Sequence, residues 1–150
     1  MIGIRDFKNL EELLLWRKEV IENVFGIEPD ADLMEENKEY YLNHWSPESH
    51  HAHLAVLATV DGTDAGCGSI CFSEELPSPD NPSGKCAYLM NIYVRTPFRQ
   101  HGVAHSIVRH LIEKAKARGC YKIYLETTPE GRPVYESLGF HDLPDMMKLS

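Results

Sequence analysis

The run CAYLMNIYV, residues 86–94, most narrows what this chain can fold into. It is nearly continuously apolar, with Asn91 as its one strongly polar residue. A strand of that kind is buried on both faces and therefore needs a layer of structure on each side. The polar turn RTPFRQHG follows. From Val103 the apolar residues then pair up as Val103 and Ala104, Ile107 and Val108, Leu111 and Ile112, then Ala115. That spacing is helical, and Gly119 supplies the stop.

The remaining patterns add layers around this strand. IGIRDF reads as a short strand. Asn9 and Glu12 have capping-box spacing ahead of an amphipathic helix that Gly26 and Pro29 end. A more polar helix is expected from about Asp32 to Trp45, stopped by Pro47. HLAVLATVDGTDAGCGSICF reads as a hairpin turning at Asp61, Gly62 and Thr63. YKIYLETT is a strand, EGRPVYESLGF a short helix closed by Gly139, and HDLPDMMKLS a final strand broken at Pro144. The expected fold is a mixed α/β domain, one central sheet flanked by helices, with residues 1–150 as a single domain. ELPSPDNPSGK is too long for a minimal hairpin turn and is either a lid over a substrate site or a surface loop without a role.

Charge separates the partner classes. A net charge of -8 argues against general nucleic-acid binding. From Arg95 to Lys122, however, there are seven Lys or Arg and one acid, Glu113, against twenty-two acids and eight bases elsewhere. A basic segment in an acidic chain suits an anionic ligand at one place, and the acidic remainder hints at a cationic one at another. No apolar run approaches the ~18 residues of a membrane span, so no membrane partner is expected. Four scattered cysteines fit reduced thiols and a cytoplasmic location.

The turn before the long helix has the chemistry of an anion site. The first N–H groups of a helix lack partners within it and carry the positive end of its dipole. Gly102 permits close approach, Arg99 offers a charged fork and Gln100 a neutral donor, and no Asp or Glu occupies the first turn. A P-loop and the three-glycine dinucleotide fingerprint are both absent.

Arg99-Gln100-His101-Gly102-Val103-Ala104 resembles the R/Q-x-x-G-x-G/A signature of the GNAT superfamily of acyl-CoA-dependent N-acyltransferases. YLETTPEGRPVYESLGF is similar to that family's next strand, short helix and Y-x-x-x-GF ending. The resemblance implies an N-acetyltransferase that moves an acetyl group from acetyl-CoA to the primary amine of a small molecule. By the same resemblance Ile92, Tyr93 and Val94 offer backbone groups to the pantetheine arm, in a gap between the fourth and fifth strands. Arg99, Gln100, His101, Gly102, Val103 and Ala104 hold the pyrophosphate. His101 stands where Gly or Lys is more familiar. Thr128 takes the position of a common cofactor-contacting Asn.

Tyr135 maps to the family's general acid. Glu126 is the nearest candidate base, with Glu74 and Glu75 as alternatives and Asn91 able to position a water. Residues 87–95 contain no carboxylate, which leaves a non-catalytic acyl-CoA-binding module of the same fold as a second reading. Tyr40, Tyr41, His44 and Trp45 fall in the region that commonly lines the acceptor side. Dimers are common in the family, so a homodimer is a form to expect. His51 and His53, with Cys67 and Cys71 on the hairpin partner, have the donor types of a zinc site. Neither CxxC nor HxxxH spacing accompanies them, and no metal is expected.

Overall fold

The computed structural model describes residues 1–48 and 52–150. Five strands, β1 (Ile2–Asp6), β2 (His53–Val60), β3 (Thr63–Glu74), β4 (Lys85–Val94) and β5 (Lys122–Leu125), form one sheet in chain order. All neighbours are antiparallel except β4 and β5, which run parallel through the connecting helix α3 (Val103–Ala117). Helices α1 (Leu10–Val20) and α2 (Ala31–His44) follow β1, and α4 (Arg132–Ser137) follows β5.

Local signals set most of these boundaries. Asn9 Oδ1 accepts from the Glu12 N–H at 2.9 Å and so caps α1. Asp30 caps α2 in the same way through the Leu33 N–H. A turn of π-helix at 21–25 extends α1 to Gly26, whose left-handed φ of 70° ends it. Asp61 and Gly62 both have positive φ, the requirement of a two-residue hairpin turn that matches strand twist.

The two faces of the sheet feed two cores. Val103, Ile107, Val108, Leu111 and Ala115 of α3 bury against Leu54, Val56, Ile70, Ala87 and Leu89. On the other face α1 and α2 bury Leu13, Trp16 and Tyr41 against Ala55, Leu57, Cys67 and Tyr93. Each fully buried aliphatic side chain contributes roughly 1.5–3 kcal/mol, so the layers rather than any polar contact hold the sheet in place. Gly68 on β3 permits the close approach of α3, because a Cβ there would sit 2.6 Å from Ile107 Cγ2.

Beside Gly68 the register of β3 with β4 shifts. Cys67 faces Tyr93 but Ser69 faces Met90, so β4 carries one extra residue. Asn91 absorbs it at φ 59°, a left-handed value that Asn tolerates better than most side chains. The bulge re-aims the strand. Ile92 and Val94 point to the α3 core and Tyr93 to the α1–α2 core.

The sequence expectation differs from the structure at the end of the chain. Residues 141–150 form no strand: they are irregular and exposed, with Met147 and Leu149 almost fully so. Pro144 removes a ladder donor, and the flanking Asp142 and Asp145 disfavour pairing, so the short apolar pieces do not combine. The loop at 75–84, for which the sequence left two readings open, is tethered to its surroundings. It folds back on itself through Glu75 N–H to the Gly84 carbonyl, and buried Asn81 donates to Glu75 Oε1. Ser83 donates to the Gly119 carbonyl and Lys122 pairs with Glu75, which tie the loop to the start of β5.

Candidate active site

The pairing of β4 with β5 covers only Cys86–Leu89 against Lys122–Leu125. β4 then runs on through Met90–Val94 with no strand on that side, while the chain after β5 leaves the sheet toward α4. Ile92, Tyr93 and Val94 therefore lie on a strand edge open to an extended ligand, as expected for a gap between these strands.

The open edge leads into the basic turn. Thr96–Phe98 make one 3-10 turn, and Arg99 folds back so that its Nε donates to the Val94 carbonyl at 2.8 Å. Gln100 at φ 63° and Gly102 at φ 83° are both left-handed, an alternation that turns successive backbone N–H groups toward one side. Ser106 N–H is the first of α3 to find a carbonyl, that of Gly102 at 3.0 Å. Those of Val103, Ala104 and His105 precede it and have no acceptor in the helix. No side chain caps α3 and no acid lies in its first turn. A Cβ at Gly102 would meet no protein atom within 4 Å, so the space over the turn is open to a ligand. Residues 99–104 are thus brought together in one turn whose free N–H groups and open space suit an anion.

Tyr135 lies on α4 with its ring edge-on to Phe140 at 5.9 Å. Burial raises its phenol pKa, and its hydroxyl has no hydrogen-bond partner among the described residues. Glu126 follows the last residue of β5 and accepts from the Tyr88 hydroxyl at 2.8 Å. Thr128 sits on the exposed loop after β5, its carbonyl held by the Gly131 N–H at 3.1 Å. Of the alternative carboxylates, Glu75 is committed to Asn81 and Lys122, away from the bulge.

On the α1–α2 face a cavity of about 210 Å³ opens beside the bulge, lined by Arg17, Tyr40, His53, Cys71, Met90 and Asn91 among others. The register aligns His53, Cys71, Tyr88 and Tyr124 across four strands on this face. Tyr40 Oη lies 2.9 Å from His53 Nδ1 and 3.2 Å from Cys71 Sγ. Arg17 donates to Asn37 Oδ1 at 3.0 Å and to Asn91 Oδ1 at 2.7 Å. The sequence singled out Tyr40, Tyr41 and His53 but not Arg17 or Asn37. The Arg17–Asn91 bond joins residues 74 positions apart, and nothing local announces it.

His53 and Cys71 do approach, at 3.6 Å, but His51 lies outside the described residues. Among the described residues no group of three or more His, Cys, Asp or Glu is placed to hold a metal ion.

His53 is 3% exposed, and burial pulls its pKa down to about 4. The imidazole is thus neutral in the fold while the unfolded chain takes up a proton near 6.5. Stability from this site is fully present above pH 6.5 and is lost as pH falls toward 4, on the order of 3 kcal/mol. His53→Gln is expected to flatten the fall in melting temperature between pH 6.5 and 4. An unchanged slope would mean that His53 does not contribute it.

A profile of the Acetyltransferase (GNAT) family matches residues 13–140. The chain belongs to that family. Among solved structures, a predicted acetyltransferase of Clostridium acetobutylicum, crystallised with acetyl-CoA, superposes with a TM-score of 0.85 at 26% identity, covering 100% of this chain and 96% of that one. Glucosamine 6-phosphate N-acetyltransferase 1 of rice is 35% identical over 90 residues, 59% of this chain and 53% of that protein. The Candida albicans glucosamine 6-phosphate N-acetyltransferase is 27% identical over 112 residues, 75% and 73% of the two chains. The chain spans about a third to a half of the length of the first curated relatives it matches.

Proposed function

We propose that the chain transfers an acetyl group from acetyl-CoA to the primary amine of a small molecule by direct attack on the thioester. One observation carries this reading: a strand edge left open beyond Leu89 runs straight into a turn of unpartnered N–H groups. An acyl-pantetheine arm can lie along the first while its pyrophosphate sits on the second. The acetyl-CoA bound by the Clostridium relative supports the same assignment.

The amine must be neutral to attack, the carbonyl oxygen gains charge, and the thiolate leaves. Nitrogen bonds to the acetyl carbon, the C–S bond breaks, and the sulfur takes a proton. Tyr135, with an uncommitted hydroxyl and a raised pKa, is protonated at neutral pH and supplies it. Backbone N–H groups around Ile92 and Val94 face the developing oxyanion. Glu126, one residue past the last paired position of β5 and hydrogen-bonded to Tyr88, removes the amine proton directly or through water. The cavity takes the acceptor. Free thiols at all four cysteines suit a cytoplasmic setting.

Thiol release from acetyl-CoA, measured across a panel of amines with mass analysis of the products, tests the reading. Amine-dependent release with a matching N-acetyl product is expected. The other reading, an acyl-CoA-binding module without turnover, predicts no release above background with any amine.

A further inference from the structure

The 210 Å³ cavity has a charge that the overall composition does not suggest. Among the described residues Arg17 is its one formally charged lining residue, and no carboxylate lines it. The neighbouring Glu19 is committed to Arg95 through two 2.8 Å bonds. Both bonds that Arg17 makes go to neutral amides, those of Asn37 and Asn91, so its charge has no counter-ion among the described residues. The two amides fix the guanidinium through Nε and one terminal nitrogen and leave the other terminal nitrogen free to donate.

The other ionisable groups on the wall are neutral near pH 7. Burial keeps the Tyr40 and Tyr41 phenols and the Cys71 thiol protonated, and keeps the His53 imidazole uncharged. A half-buried, unpaired guanidinium loses hydration without gaining an ion pair. A ligand carboxylate or phosphate would restore the balance through a charge-assisted fork. The volume lies below the ~300 Å³ where drug-sized sites begin, which suits a metabolite of amino-acid or monosaccharide size.

We infer that the acceptor of this enzyme is a small amine that also carries an acidic group, a carboxylate or a phosphate, and that Arg17 reads that group. This deepens the acetyltransferase reading and rests on it. The pocket's position explains how the two ends of such a molecule divide. The acidic end meets the free terminal nitrogen of Arg17, and the amine end lies toward Met90, where β4 leaves β5. The reverse charge preference, a cationic acceptor, would set like charge against Arg17.

Two matched pairs test the inference: glucosamine 6-phosphate against glucosamine, and serine against serinamide. Each is titrated calorimetrically into the acetyl-CoA-loaded protein and assayed for thiol release. In at least one pair the acidic member should bind at least ~10-fold more tightly than its partner, which corresponds to one charge-assisted bond. The pair that shows the preference distinguishes phosphate from carboxylate. Arg17→Gln should abolish that preference by raising the KM of the acidic member, with acetyl-CoA affinity and melting temperature retained. Arg17→Lys keeps the charge without the fork and should retain part of it. Binding that favours the neutral members of both pairs, or a preference that survives Arg17→Gln, overturns the inference. Tight binding of an acidic member without thiol release would sustain the charge preference and remove the transferase reading, so the two failures are separate.

Discussion

Tyr135→Phe is expected to lower turnover by ~100- to 10,000-fold, the usual worth of general-acid help. The substitution keeps the ring and its edge-on contact with Phe140 and removes only the hydroxyl. That hydroxyl holds no partner among the described residues, so no structural hydrogen bond is lost with it. Acetyl-CoA affinity and melting temperature should therefore stay close to the parent's. The proton transfer itself is balanced: a phenol held above its ordinary pKa is protonated at neutral pH, and the departing thiolate, with a conjugate acid near ~8.5, accepts from it. Steady-state assay with thermal melting checks this. A Phe variant with parental turnover would make Tyr135 a packing residue and move the proton source elsewhere.

Legibility in the sequence followed the range of the interactions. The capping of α1 by Asn9, the hairpin turn at Asp61-Gly62 and the stop at Gly119 are set by residues within four of each other, and the structure has them where the pattern put them. The anion turn is legible for the same reason, since Gly102 and its missing acids sit within one turn of α3. The strand expected at the end of the chain is absent because the apolar residues Leu143, Met146, Met147 and Leu149 do not alternate, and Pro144 and its acidic neighbours do not fit a sheet edge. The anchoring of the loop at 75–84 was not legible, because its partners Gly119 and Lys122 lie more than thirty residues away.

The cavity on the α1–α2 face was only half legible. Tyr40, Tyr41 and His53 stand out as residue types, but their meeting depends on α2 packing over β2 and β3. Arg17 reads locally as one more solvated charge on an amphipathic helix. Its role emerges only when the bulge at Asn91 turns an amide toward α1. The acidic balance of the whole chain pointed toward a cationic acceptor, whereas the wall of the cavity carries a positive charge. Net charge describes the far field of a protein, and a pocket is decided by the few groups that line it.

The central claim is that acetyl-CoA lies along the open edge of β4 with its phosphates on the Gly102 turn. Gly102→Val tests it most directly. A Cβ there meets no protein atom within 4 Å, so a side chain would obstruct a ligand rather than the fold. The left-handed φ of 83° adds strain of about 1–2 kcal/mol, which Gly102→Ala shares and therefore controls for. Loss of two charge-assisted hydrogen bonds, each worth roughly 1.5–3 kcal/mol, corresponds to at least a ~100-fold drop in affinity. The measurement is calorimetric titration of acetyl-CoA into the parent and both variants, at low and high salt. Parental affinity should weaken with salt, with a modest loss in the Ala variant and a loss of ~100-fold or more in a folded Val variant. Unchanged affinity in folded Gly102→Val, with no salt dependence in the parent, would contradict it.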